Sequence, residues 1–263
     1  MKNYTIFGNP VEHSKSPQMH NAGFEYLHYQ GNYSKTLLED GSEIKKNFLA
    51  NNIQGANITV PHKELAFENA DEIKGIAKKI GAVNTYINND GKVTAYNTDA
   101  PGFMKAIEEF ENIKTAIIIG AGGTAKAIAV AFKDAGIKTI VLNRSENKLE
   151  FFESIGAKTY SWDNFSSERY DLVVNSTSAG LKDEEFPAPI EVLDEILENS
   201  TYAIDCIYGK VTPFLKQAEY HNLIAKDGED MLLYQGVIAF ELFTGTKADT
   251  GLVEAMRKGL KES

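Results

Sequence analysis

The chain has 263 residues, a formal net charge of −10 and one cysteine. That length accommodates two domains. The negative charge argues against generic phosphate-backbone binding, so no nucleic-acid partner is expected. One cysteine excludes an intrachain disulfide and a thiolate-rich zinc site, and no metal is expected.

The N-terminus has no apolar signal core, and no run approaches a membrane span. A cytoplasmic protein, monomer or homodimer, without a membrane partner is the expectation. In chain order, strands are predicted near Tyr4–Gly8, Tyr33–Leu38, Gly55–Thr59, Val83–Ile87 and Val93–Tyr96, with helices between them such as Pro17–Leu27. Pro17 suits a first helical turn. Asp90-Gly91 between two strands reads as a hairpin turn.

After Asp99 a helical segment leads to a stronger strand, Thr115–Ile119, and the pattern restarts. A helix through Phe132 stops at Gly136, followed by a strand at Lys138–Leu142 and a helix near Asn147–Ser154. Further strands fall at Leu172–Asn175, Tyr202–Ile207 and Leu223–Ala225. Two amphipathic helices, about Met231–Phe243 and Thr250–Leu260, close the chain. Strands alternating with helices predict an α/β fold with mainly parallel sheets, and the restart predicts a second α/β unit from about residue 104.

Gly120-Ala121-Gly122-Gly123-Thr124-Ala125 follows the strand at Thr115–Ile119 and opens a helix. This is the G-x-G-x-x-A form of the dinucleotide fingerprint. Gly120 permits the tight turn, Gly122 lets the backbone approach a pyrophosphate, and Ala125 takes the small third position. The next strand ends in Asn143-Arg144-Ser145, with Lys148 one turn on. An NAD site places a carboxylate there. Two cations and a hydroxyl instead suit a 2′-phosphate and predict NADP, although Glu146 lies close by.

The N-terminal half carries polar clusters: Ser14-Lys15-Ser16-Pro17, Asn57-Ile58-Thr59-Val60-Pro61-His62-Lys63, Asn84-Thr85 and Asn97-Thr98-Asp99. Two hydroxyls at a helix start can hold a carboxylate. Each cluster alone has an ordinary alternative. Ser14 and Ser16 would cap a helix, Asn84 would serve a turn, Lys63 would be a surface lysine and Asp99 a helix cap. His62 reads as a surface or supporting histidine, and Cys206 as a buried, inert thiol.

In order and spacing these clusters, with Gly81-Ala82-Val83, the glycine turn, Asn143-Arg144-Ser145 and Gly228-x-x-Met231-Leu232-x-x-Gln235, resemble the shikimate dehydrogenase family over essentially the whole chain. The resemblance implies a substrate-binding domain of residues 1–103 and 237–263 and a Rossmann-type NADP-binding domain of 104–236. The last helices would return to the first domain. It further implies that Ser14 and Ser16, with Thr59 nearby, bind the substrate carboxylate. Lys63, Asn84, Asp99 and Gln235 would contact ring hydroxyls, and Tyr208 would line the cleft. Gly228 and Thr177 would approach the nicotinamide. Ser145 and Lys148 stand where the family has Thr and a second Arg, so one planar donor fork is missing. The Asn175–Gly180 segment also departs from the family form.

The activity so implied is NADPH-dependent reduction of 3-dehydroshikimate to shikimate in aromatic amino-acid (chorismate) biosynthesis. Lys63 and Asp99 would handle the proton as a pair. Two alternatives stay open at this point. An NAD-dependent quinate/shikimate dehydrogenase is opposed by Arg144. A non-catalytic NADP-sensing protein should lack the Lys63–Asp99 pair.

Overall fold

The first apolar run forms strand β1 (Lys2–Gly8), its last five residues buried, and parallel neighbours β2 (Gly31–Leu37) and β3 (Ile53–Ile58) flank it. The computed structural model describes residues 1–262. They divide into two units, one comprising Met1–Gly102 with the segment from Leu233 onward, the other Phe103–Leu232.

The first unit continues with β4 (Glu72–Ile73), β5 (Thr85–Asn89) and β6 (Lys92–Tyr96), in the sheet order β2-β1-β3-β5-β6-β4. Helices α1 (Ser16–Tyr26), α2 (Ile44–Ala50), α3 (Lys63–Asn69) and α4 (Ala77–Ile80) connect the strands, and α5 (Asp99–Ala106) follows β6. The β3/β5 and β5/β6 pairs are antiparallel. The expected turn joins β5 to β6, with Asp90 at φ 51° and Gly91 at φ 86°. Left-handed backbone at both central residues matches the strand twist of a two-residue hairpin.

Strand β5 begins at Thr85 rather than Val83. The Val83 amide donates to Lys63 O at 3.0 Å and the Asn84 amide to Tyr96 O at 3.0 Å, so this stretch ties the start of α3 to the end of β6. Phe7, Ile44, Phe48, Ile58, Val83 and Tyr86 fill the core on one side.

The second unit contains β7 (Thr115–Ile119), α6 (Gly123–Asp134), β8 (Lys138–Leu142), α7 (Glu150–Ser154), β9 (Lys158–Tyr160), β10 (Tyr170–Asn175), α8 (Ile190–Glu198), β11 (Ser200–Asp205), α9 (Pro213–Tyr220) and β12 (Ile224–Lys226). All its pairings are parallel, in the order β12-β11-β10-β7-β8-β9. Renumbered from β7 this is 6-5-4-1-2-3, the doubly wound order in which dinucleotides bind where the winding reverses, here between β7 and β10. The near-continuous apolar runs of β7, β8 and β10 follow from burial on both sheet faces. The helix expected near 147–154 is broken into a 3₁₀ turn, Glu146–Lys148, and α7.

Helices α10 (Glu229–Thr244) and α11 (Thr250–Lys261) close the chain. From Leu233 they belong to the first unit, four residues before the expected boundary. Gly102 shows why: a Cβ there would lie 2.5 Å from the Gln235 backbone nitrogen. Helix α11 reaches α1 equally closely, since a Cβ on Gly259 would lie 2.7 Å from Gln18 O. Only glycine allows such backbone approaches. Among the described residues, no helix is long and apolar enough to cross a membrane.

Candidate active site and dinucleotide site

Lys63 opens α3, the helix end where a positive charge is disfavoured by the peptide dipoles. Its compensation is local. Lys63 Nζ lies 2.6 Å from Asp99 Oδ2, the side chains 14% and 9% exposed. Asp99 opens α5 but does not cap it, because Asn97 Oδ1 accepts from the Ala100 amide at 3.2 Å. The carboxylate is thereby left for Lys63 and for Asn84.

Asn84 uses its whole amide. Nδ2 donates to Asp99 Oδ1 at 2.8 Å and Thr98 Oγ1 at 2.9 Å, while Oδ1 accepts from the Thr98 amide at 2.8 Å and Thr85 Oγ1 at 3.0 Å. Gln235 Oε1 lies 3.3 Å from the same Nδ2. Further back, Tyr33 donates its hydroxyl to Asn57 Oδ1 at 2.6 Å, and Asn57 Nδ2 donates to Thr85 Oγ1 at 3.2 Å. Burial pushes the Tyr33 phenol well above its ordinary pKa, so it stays a donor. A directed chain of hydrogen bonds therefore runs from Tyr33 through Asn57, Thr85 and Asn84 to Asp99.

Asn57, Thr85 and Thr98 stand in the clusters that carry the resemblance without a role of their own there, and Tyr33 stands in none. The spacing of Asn57 two residues before Thr59 was the available signal. Tyr33 gave none beyond strand character.

Ser14 and Ser16 are buried, and their hydroxyls are 3.2 Å apart. The cap position of α1 falls on Lys15, whose side chain makes no cap bond and instead reaches Leu260 O at 3.2 Å. The two serines are thus not employed as a conventional N-cap. Thr59 is half-buried just past β3, its amide donating to Phe7 O at 2.9 Å and its methyl filling the space beside Gly8. His62 is not a surface residue: it is buried, with Nε2 2.7 Å from Leu38 O.

In the second unit, Gly120 has φ 110°, and a Cβ there would lie 2.7 Å from Ser176 Oγ. Ala121 and Ala125 are buried. Gly122 is the opposite case, exposed with nothing within 4 Å of a Cβ position, and Gly123 and Thr124 open α6. An open glycine at a helix start suits an anion, because the first amides are unpaired and the dipole favours negative charge. At the end of β8, Asn143 Nδ2 donates to Ser145 O at 2.9 Å. Arg144 and Lys148 are exposed, and Ser145 is half-buried. Glu146 is held by Ser161, whose Oγ donates to Oε1 at 2.9 Å. These residues fit a dinucleotide bearing a 2′-phosphate.

At the end of β10, Asn175 Oδ1 accepts from the Thr177 amide at 3.0 Å and Thr177 Oγ1 at 2.8 Å. Ser176 Oγ donates to Ile119 O at 2.8 Å, a bracing role, and Ser178 is exposed. Asn175 is in turn fixed by Asp205, whose Oδ1 accepts from Asn175 Nδ2 at 3.1 Å and whose Oδ2 accepts from Thr212 Oγ1 at 2.6 Å. Gly228 lies against the backbone of Cys206, whose carbonyl a Cβ would overlap. Cys206 itself is part-exposed rather than fully buried, and Tyr208 is half-buried just beyond it.

Residues 6–86 match the family model of the shikimate dehydrogenase substrate binding domain, and residues 228–260 that of the shikimate 5′-dehydrogenase C-terminal domain. The chain is 44% identical to shikimate dehydrogenase (NADP(+)) of Helicobacter hepaticus, over 97% of this chain and 95% of that protein. It is 36% identical to the Bacillus cereus enzyme of the same name, over 92% of each chain. Its structure resembles that of shikimate 5-dehydrogenase from Thermus thermophilus in complex with NADP(H) and shikimate. The TM-score is 0.87 at 34% identity, covering 98% of this chain and 100% of that one. The chain belongs to the shikimate dehydrogenase family.

Proposed function

We propose that this protein catalyses the reversible NADPH-dependent reduction of 3-dehydroshikimate to shikimate, in the cytoplasm, as a step of aromatic amino-acid biosynthesis. The observation that carries the reading is the part-buried Lys63–Asp99 pair, locked by Asn84, within the unit that matches the substrate binding domain of the family. Ser14, Ser16 and Thr59 supply hydroxyls for the substrate carboxylate. Lys63, Asn84, Asp99 and Gln235 supply donors and acceptors for ring hydroxyls. Tyr208 is assigned to the substrate as well, and Thr177 and Gly228 to the nicotinamide end of the cofactor.

When bound, NADPH supplies the hydride. Hydride arrival at C3 leaves the negative charge of an alkoxide on the former carbonyl oxygen, which requires a proton or a cation. Lys63 meets both needs: its ammonium stabilises the charge and gives one proton to the oxygen, leaving a neutral amine and a C3 hydroxyl. Asp99 orients the ammonium, and Asn84 fixes Asp99. In the reverse direction the amine takes the hydroxyl proton as hydride leaves.

The NAD-dependent alternative loses ground because the one carboxylate near the end of β8, on Glu146, is tied to Ser161. Loss of NADPH absorbance on adding 3-dehydroshikimate tests the activity. Shikimate and quinate, each with NADP and NAD, test substrate and cofactor together. No substrate-dependent oxidation at any concentration would end the proposal. Light scattering on the purified protein decides between monomer and homodimer.

A further inference from the structure

The loop 143–148 is attached at three points to the end of β9 and the residues just after it. The Asn143 amide donates to Tyr160 O at 3.0 Å. Ser161 Oγ donates to Glu146 Oε1 at 2.9 Å. The Arg144 guanidinium carbon lies 6.0 Å from the centroid of the Trp162 ring. We propose that Ser161 and Trp162 are positioning residues that set the preference for NADP over NAD, Trp162 by holding the Arg144 guanidinium over its ring and Ser161 by restraining the Glu146 carboxylate.

Both restraints are built rather than incidental. Ser161 and Asn164 brace one another: the Ser161 amide donates to Asn164 Oδ1 at 2.8 Å, and the Asn164 amide donates to Ser161 O at 3.4 Å. The Ser161 hydroxyl has a single proton to give, and Glu146 receives it. Ser161 is 3% exposed, so the donor is fixed in place. Trp162 packs against the core formed by Ile140, Leu142, Tyr170 and Leu193 with their neighbours, which makes its ring a rigid shelf.

The two contacts act in the same direction on cofactor choice. A carboxylate near the end of the second strand recognises a ribose 2′-hydroxyl and repels a 2′-phosphate, whereas a guanidinium recognises the phosphate. Glu146 lies two residues beyond Arg144 and is the only acidic residue of the loop 143–148. A cation over a Trp face is attracted by the ring quadrupole and loses freedom it would have in solvent. One segment thus presents the residue that favours NADP and retains the one that opposes it.

The inference rests on the NADP reading, and the test separates the two. Binding of 2′,5′-ADP and of 5′-AMP to the full chain is measured by calorimetry, beside steady-state kinetics with NADP and NAD. If wild type binds 2′,5′-ADP no more tightly than 5′-AMP, the NADP reading itself fails. Given that wild-type difference, Trp162→Leu is expected to weaken 2′,5′-ADP about three- to tenfold and leave 5′-AMP within about twofold, the size of one cation–π contact. Trp162→Phe keeps a ring and is expected to retain most of the preference.

Ser161→Ala is expected to lower the 2′,5′-ADP/5′-AMP ratio about threefold or more, and the effect should vanish in a Glu146→Gln background, as a double-mutant cycle requires of coupled residues. Equal losses for both nucleotides, or a Ser161→Ala effect that persists without the Glu146 carboxylate, would overturn the proposal. Glu146→Gln changes an exposed side chain, so this arm remains readable even if a Trp162 variant fails to fold.

Discussion

Lys63 Nζ and Asp99 Oδ2 are 2.6 Å apart, joining the first residue of one helix to the first residue of another. The pair is held from behind by Asn84, so removing the lysine takes away the proton donor while much of the carboxylate's support remains. Lys63→Met is expected to lower kcat by about 10²- to 10⁴-fold, the usual range for loss of a general acid. Binding of 2′,5′-ADP, measured separately, should not change. Turnover near the wild-type value would remove Lys63 from the chemistry.

Asn84 is a sharper probe because two opposite changes can be made there. Asn84→Ala leaves Asp99 Oδ1 without its 2.8 Å donor and should reduce kcat/KM about 10-fold or more, as loss of a hydrogen bond to a charged group does. Asn84→Asp replaces that donor with a second carboxylate at the same distance, and two like charges so close cannot both ionise. It should be the more damaging variant at neutral pH and recover partly as pH falls. Equal activity for the two variants would mean that Asn84 does not act through Asp99.

The two glycines at the end of β7 should separate stability from binding. Gly122 at φ −84° has open space around a Cβ, so Gly122→Val should fold with a Tm close to wild type yet bind NADPH at least about tenfold more weakly, because the backbone can no longer approach a diphosphate. Gly120→Ala should instead lower Tm. Its φ of 110° is costly for any side chain, and the new methyl meets Ser176 Oγ. Fluorescence titration with NADPH and thermal melts read both effects, and tight NADPH binding by Gly122→Val would displace the diphosphate from this turn.

The restart of the α/β pattern near residue 104 was legible because buried parallel strands are near-continuous apolar runs, and Ile117-Ile118-Ile119 before Gly120 is unambiguous. Lys63, Asn84 and Asp99 were legible only through the order of whole motifs. Short-range spacing says nothing of a contact between positions 63 and 99, which depends on how β3, β5 and β6 pair. Tyr33 was invisible because its contact is with Asn57 on another strand, and an apolar-looking strand residue carries no mark of its hydroxyl's partner. Helices α8 and α9 did leave signals: Leu193, Ile196 and Leu197 form a helical stripe, and Thr212-Pro213 is a cap followed by proline at the first position. The division at Leu232 falls inside the continuous helix α10, where sequence has no reason to change character.

His20 gives the first unit a defined acid sensitivity. Its ring is fully buried, stacked 4.3 Å from Tyr33 with 4° between planes, and burial pushes its pKa down to about 3. The unfolded chain has an ordinary imidazole near ~6.5. The native state therefore resists a proton that the unfolded state accepts, and the contribution of His20 is full above about 6.5 and lost as pH falls toward 3. By linkage this is on the order of 5 kcal/mol across the window. Urea midpoints should fall with acidification below pH 6.5 and fall less steeply in His20→Phe. Parallel pH profiles for the two proteins would show that His20 is not the group responsible.

Asp205 should give the second unit the opposite slope. Burial raises its carboxyl to about 6, against the lowering effect of hydrogen bonds from Thr212, the Ile207 amide and Asn175. The native state now holds the proton more tightly than the unfolded chain, whose carboxyl titrates near ~3.9. Its contribution is therefore greatest below about pH 4 and declines as pH rises through 6, by roughly 3 kcal/mol. Asp205→Asn removes that slope, so relative to wild type its urea midpoint should improve steadily from pH 4 to pH 7. The same substitution alters the acceptor that fixes Asn175, and through Asn175 the amide and hydroxyl of Thr177, so NADPH affinity should weaken even where stability is gained. A variant whose stability difference from wild type is flat across this range would show that the native Asp205 carboxyl is not raised above its unfolded value.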